Sequence, residues 1–403
     1  MMAILGGVAL GVAIGLASGL LPGIHVNTLA AVLLASQAVL LPLFGPAPMA
    51  AALFAALIAH TFLDAIPSTF LGIPDADTAV SVLPAHSLCL EGKGEEAVRI
   101  SALGNAAGLV IAVPCSLILL LAMPALQPYL DWGTGILLVA VMGFLIVRSE
   151  SPGWAVLLFG ASGVLGLFSF HYSFLSPSWA GEGGVLMPLL SGLFGISILL
   201  LSGQGPIPGQ QFSGIGMERR GILRGSLLGT AAGTIVGWLP GLSNATANAV
   251  LATAVNYEKD RREYLLATSA ANTVNAMVGL VAFFAIARTR SGVVAAMSVL
   301  ELPPLPTLLL VGAVAGLASY LITVRLAGIA VIFSRLDRRA LNTAVILFVA
   351  GTTILVGGIF GAFILLLATI LGLVPRMVNI PQVYLIGAIT LPVMLYSFGF
   401  TPF

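Results

Sequence analysis

Gly7, Gly11, Gly15 and Gly19 recur every fourth residue and run into Leu21-Pro22-Gly23. The arrangement returns 218 positions later, where Gly225, Gly229, Gly233 and Gly237 run into Leu239-Pro240-Gly241. Residues four apart share a helix face, so each ladder offers a small-residue stripe that another backbone can approach closely. Proline then removes a donor and clashes with the preceding turn, so each helix stops or kinks at Pro22 and Pro240. A helix restarting beyond the break presents unpaired N–H groups with partial positive charge, which suits an anion. Two kinked packing helices without a ligand would give the same pattern. The duplicated break favours a site, because paired broken helices are the usual binding element of secondary transporters.

Composition sets the class. Hydrophobic residues make up 59% of the 403 residues, charged residues only 8%, and mean hydropathy is +1.10. A soluble chain carries about 25% charged residues. Apolar stretches of about 20 residues recur, so the expectation is an all-α polytopic integral membrane protein in the cell membrane, not an outer-membrane barrel. A net charge of +1 gives no footprint for nucleic acid. Cys89 and Cys115 lack metal-type spacing, and no Walker, serine–histidine or His-Glu-x-x-His arrangement stands out. No metal site, resident cofactor, ATP-driven pump or enzyme is therefore expected. The apolar N-terminus has no basic flank and does not read as a cleaved signal peptide.

Fourteen of the sixteen Lys and Arg residues fall in or near a few short loops, around Lys93, Arg148, Arg219–Arg224, Lys259–Arg262, Arg325–Arg339 and Arg376. The positive-inside rule places these in the cytoplasm and the loops holding Asp131 and Glu182 outside. The path then reads as two repeats, 1–203 and 223–403, joined by a cytoplasmic linker at 204–222 rich in Gly, Gln and Pro. Each repeat holds a broken or re-entrant hairpin (1–44 and 223–256) followed by five crossings. In the first these lie near 46–66, 98–123, 133–148, 153–172 and 184–202; in the second near 264–287, 307–334, 340–356, 357–374 and 380–399. Residues 67–92 and 288–302 read as irregular. An odd number of crossings inverts the second repeat relative to the first.

Polar groups at membrane depth are costly and normally face a cavity or a partner. The substrate-binding candidates are Gly23, His25, Asn27 and Thr28 after the first break, and Gly241, Ser243, Asn244 and Thr246 after the second. Asn272 and Asn275 on a later helix join them, although both could simply bond helix to helix. Asp64, Asp75 and Asp77 are the candidates for ion coupling. Asp64 ends an apolar run, where a carboxylate needs a cation, a proton or an arginine, and its counterpart in the second half is taken as Asn275. Asp75 and Asp77 could equally occupy a wet loop. Arg288 and Arg290, the basic residues off the cytoplasmic side, either draw anions to an outer vestibule or belong to an ordinary charged loop.

Gly-Leu-Leu-Pro-Gly at 19–23, Gly-Ile-Pro-Asp-Ala-Asp-Thr-Ala-Val at 72–80 and Leu-Glu-Gly-Lys-Gly-Glu-Glu-Ala at 90–97 occur in that order. Trp-Leu-Pro-Gly at 238–241 and Ala-Ala-Asn-Thr-Val-Asn at 270–275 follow. Together these resemble the large, TctA-type permease subunit of the tripartite tricarboxylate transporter family. The resemblance implies a secondary carrier for di- or tricarboxylate anions, driven by Na⁺ or H⁺ through alternating access. It also implies a small membrane subunit and an extracytoplasmic binding protein as partners. A homo-oligomer stays open, as do three rival readings: a flippase for a lipid-linked anion, an intramembrane enzyme and a passive channel.

Overall fold

The computed structural model describes residues 2–21, 37–72, 82–177, 183–201, 207–255, 260–330, 332 and 338–400. Every regular element among them is helical, and eight helical runs are long and apolar enough to cross a membrane. The first half holds α1 (Met2–Leu20), α2 (Gln37–Phe44), α3 (Pro46–Leu63), α4 (Ala65–Leu71), α5 (Val82–Leu90), α6 (Gly94–Val147), α7 (Pro152–His171), α8 (Gly183–Leu190) and α9 (Ser197–Leu201). A π-helical turn, Ser191–Ile196, joins α8 to α9. The second half holds α10 (Arg219–Trp238), α11 (Asn244–Val255), α12 (Arg261–Ile286), α13 (Gly292–Ser298), α14 (Leu305–Ala327), α15 (Arg338–Met377) and α16 (Gly387–Ser397).

Both glycine ladders are close-packing faces. Along α1, Gly7, Gly11, Gly15 and Gly19 meet in turn Pro48, Ala52, Ala56 and His60 of α3, backbone to backbone. Along α10, Gly225, Gly229, Gly233 and Gly237 meet Glu263, Ala267, Ala271 and Asn275 of α12 in the same manner. Each ladder helix therefore runs parallel to its partner. The partners themselves cross in opposite directions. Phe54 and Met277 share the surface of Gly312, Thr61 bonds Thr273, and Asp64 bonds Asn272.

The second break forms as its chemistry dictates. Leu239 is extended (φ −83, ψ 132), as a residue before proline should be, and α10 ends there. Gly241 has φ +77, and a Cβ on it would press on Leu138 and Val393, so conformation and space both require glycine. A similar reversal occurs in α15 at Gly358 (φ 63, ψ −155), where the sequence separates the crossings 340–356 and 357–374. A Cβ on Gly361 would lie 3.3 Å from the Thr353 carbonyl, so the two arms fold back on each other.

Several expectations need correction. The segment 67–92 is not irregular throughout: α4 extends into it as far as Leu71, α5 lies within it, and α13 lies within 288–302. Asp64 does not end the apolar run, because its αR conformation carries helical geometry from α3 into α4. It thus sits inside a 26-residue span, Pro46–Leu71. The crossings near 98–123 and 133–148 are one helical run, α6, containing Pro114, Pro124 and Pro128. A proline inside a membrane helix can bend it without ending it, which is why the sequence reads as two segments. Asp131 accordingly lies on a helix, not in a loop. Finally, ladder contacts place His60, not Asp64, in the position matching Asn275, and Gly279 in the position matching Asp64.

Two apolar cores hold the helices together. One gathers Leu53 and Phe54 of α3 and Leu109 of α6 with Met277 of α12 and Leu308 of α14. The other gathers Leu138 of α6, Leu158 of α7 and Leu193 with Ile364 of α15 and Ala388 of α16. Each core draws on both halves of the sequence.

Candidate functional site

Where α3 crosses α12, each helix turns a polar stripe inward. On α3 and α4 the stripe is His60, Thr61, Asp64 and Ser68; on α12 it is Thr268, Ser269, Asn272 and Asn275. Spacings of three and four put each set on one helix face. The break after α10 adds Gly241, Ser243 and Asn244 at the start of α11, with Ser243 Oγ accepting the Thr246 N–H at 3.4 Å as a cap.

These groups enclose two cavities. The larger, of about 240 Å³, is lined by His60, Thr61, Asp64, Gly241, Ser243, Asn244, Asn272, Asn275, Arg290 and Ser291, among others. The smaller, of about 20 Å³, lies on the other side of Asp64 and is lined by Thr61, Asp64, Ser68, Ser101, Thr268, Ser269 and Asn272 with three apolar residues. Thr61, Asp64 and Asn272 form the common wall. A chain of amides ties it to the second break: Asn244 donates to Asn272 Oδ1 at 2.9 Å, and Asn272 donates to Asp64 Oδ2 at 3.4 Å.

The two cavities differ in hydrogen-bond sense. In the larger one Arg290 supplies a guanidinium. Its Nη2 donates to the carbonyls of Val236 (2.9 Å) and Leu239 at the broken end of α10, which draws stability from the negative end of that helix. Its Nε is buried and, among the described residues, has no hydrogen-bond partner. Burial, with the neighbouring Arg288 charge, lowers the guanidinium to about 10, so it stays protonated at neutral pH. A charged guanidinium among the lining residues of a cavity, with hydrogen-bonding capacity left over, suits an anion.

The smaller cavity presents acceptors. Thr61 donates its hydroxyl proton to Ile58 O, Ser68 to Asp64 O, and Thr268 to Leu265 O. Thr273 must then be the donor in its 2.8 Å bond with Thr61 Oγ1. The oxygens of these hydroxyls are left with lone pairs, beside a buried carboxylate that is 9% exposed. Such a lining suits a cation or a proton.

Of the predicted residues, Gly241, Ser243, Asn244, Asn272, Asn275 and Asp64 line the larger cavity. Thr246 is buried beside it, its hydroxyl 3.4 Å from Ser243 Oγ, and is not part of the lining. Gly23, His25, Asn27, Thr28, Asp75 and Asp77 lie outside the described residues. Arg290 lines the cavity itself instead of an outer vestibule. Arg288 is paired with Asp131 at 2.7 Å. Sequence reasoning missed Ser101, Thr268 and Ser269. The last two stand one turn before Asn272, a spacing that could have revealed them; nothing in the sequence marks Ser101.

A family model described as the tripartite tricarboxylate transporter TctA family matches residues 5–387. An uncharacterized protein of Methanocaldococcus jannaschii is 28% identical over 285 residues, 70% of this chain and 68% of that protein. No solved structure matches the chain.

Proposed function

Because the chain belongs to the tripartite tricarboxylate transporter TctA family, a multi-pass membrane family of transporters, we propose that it is a secondary carrier of small carboxylates working by alternating access. The observation that carries this reading is the buried, incompletely bonded guanidinium of Arg290 in a cavity beside the N-terminus of α11. A carboxylate there would accept from the Arg290 guanidinium and the first N–H groups of α11, with Asn244 and Asn275 completing its shell. The opposite directions of α3 and α12 and their matching ladders support two inverted repeats, 1–203 and 223–403, about the linker 204–222. We assign the small cavity to the coupling ion, with Asp64 as the charged ligand. The reading extends to a small membrane subunit and an extracytoplasmic binding protein as partners.

Reconstitution tests it. Proteoliposomes should take up citrate, succinate or acetate, and uptake should rise with an inward Na⁺ or proton gradient. Asp64→Asn should lose the gradient's effect while keeping some substrate exchange. Full, normally ion-dependent uptake by Asp64→Asn would remove Asp64 from the coupling role and leave Asp75 and Asp77. A carrier that moves none of these free carboxylates, but does move a lipid-linked anion, would be a flippase.

A further inference from the structure

The guanidinium of Arg290, which lines the larger cavity, belongs to a closed circuit of hydrogen bonds and backbone, and one arm of that circuit lies outside the cavity lining. Trp238, the last residue of α10, donates its indole N–H to Gln127 Oε1 at 2.8 Å. Gln127 Nε2 donates to Asp131 Oδ1 at 2.8 Å. Asp131 Oδ1 also accepts Arg288 Nη2 at 2.7 Å. Arg288 lies two residues before Arg290, which returns to Val236 and Leu239, the carbonyls flanking Trp238.

We infer that Gln127 and Asp131 of α6 are positioning residues that aim Arg290 into the anion cavity. The inference rests on the anion reading above. Arg290 lies in the non-helical connection 287–291 between α12 and α13, so its own backbone does not fix it. The circuit supplies that restraint by anchoring both the residue two before it and the helix end it bonds. Gln127 is 8% exposed, and its amide is oriented at both ends: the oxygen takes the Trp238 donor, so the nitrogen must face Asp131. Neither residue lines the cavity. An exposed ion pair such as Asp131–Arg288 by itself contributes little to stability.

The test reads the cavity's electrostatic field, so it does not depend on knowing the substrate. Asn275→Cys is introduced into a chain lacking Cys89 and Cys115. Its reaction rates with an anionic and a cationic methanethiosulfonate reagent are compared, normalised to free cysteine. With Arg290 in place the anionic reagent should be favoured about tenfold, the lower end of electrostatic steering. Arg290→Gln should abolish the preference; a preference that survives would refute the anion reading itself. Gln127→Ala and Asp131→Asn should each cut the preference at least threefold. The sign is diagnostic for Asp131→Asn. Removing an acidic charge by itself strengthens a positive field, whereas misplacing Arg290 weakens it. Unchanged or increased preference in both single variants, with Arg290→Gln still silent, would overturn the positioning role and leave the anion site standing. Should Asp131→Asn fail to reach the membrane, Gln127→Ala, which alters no charge, decides between the same two outcomes alone.

Discussion

Arg290 owes its place to a backbone defect. The α10 helix ends on carbonyls that no helical N–H can reach, and a guanidinium takes up two of them. Sequence alone marks the arginine as a stray basic residue but cannot tell which carbonyls it will meet. Arg290→Gln should weaken carboxylate binding at least tenfold, about 1.4 kcal/mol, as read by ligand-induced shifts in melting temperature. A pH dependence follows from the lowered value of about 10. A cation whose value is depressed by burial is fully charged well below that value and neutral above it. Anion affinity should therefore hold through neutral pH and fall as pH rises through about 10. In Arg290→Gln that fall should be absent. Asp64 was legible as a costly carboxylate, but its pairing was not. Leu63 packs on Gly19 as Val278 packs on Gly237, because the hairpin between ladder and partner is three residues shorter in the second unit. That difference, invisible without packing, moves Asn275 opposite His60.

Helices were legible wherever small residues or apolar runs set them. The ladders are an example: a Cβ on Gly229 would drive into the carbonyl of Ala267, and one on Gly11 into that of Ala52. Gly229→Val should cost about 1–3 kcal/mol or more by overpacking. Gly160→Val, on a face of α7 with nothing within 4 Å, should cost far less, and thermal unfolding in detergent compares them. Proline gave the opposite lesson. The same residue type that ends α10 at Pro240 passes through α6 at three positions. At Pro240 the glycine that follows adopts a positive φ and turns the chain, whereas Cys115, Ala125 and Tyr129, which follow the α6 prolines, keep it helical.

Across the whole molecule, ion pairs and the linker brace one end of α6 and α12. Arg262 bonds Glu96 through two nitrogens, at 2.8 and 3.0 Å, and Arg261 bonds Glu91 at 2.6 Å, which holds that carboxylate below its usual range. The linker lies across them, with Gly216 N–H donating to Glu96 Oε1 and Gln211 N–H to Gly92 O. These groups carry the basic residues that the sequence assigns to the cytoplasm. In a chain without Cys89 and Cys115, Asn275→Cys should react with an impermeant thiol reagent from outside. Ser269→Cys should react only from the cytoplasmic side, and faster once Glu96→Gln loosens the brace. Reaction of Ser269→Cys from outside would contradict this sidedness.

Each crossing helix packs on the ladder helix of its own half and is covered on a further face by a helix from the opposite half. In the first half, α6 lies along α12, with Gly104 and Gly108 against Leu266 and Ala270; in the second, α14 lies along α3, with Gly312 and Gly316 against Phe54 and Ile58. Neither half can bury its own crossing helix alone. A gene cut within 204–222 should accordingly give two fragments that are degraded when made singly and stable when made together, an obligate heterodimer from a protein that nature joins with one peptide link.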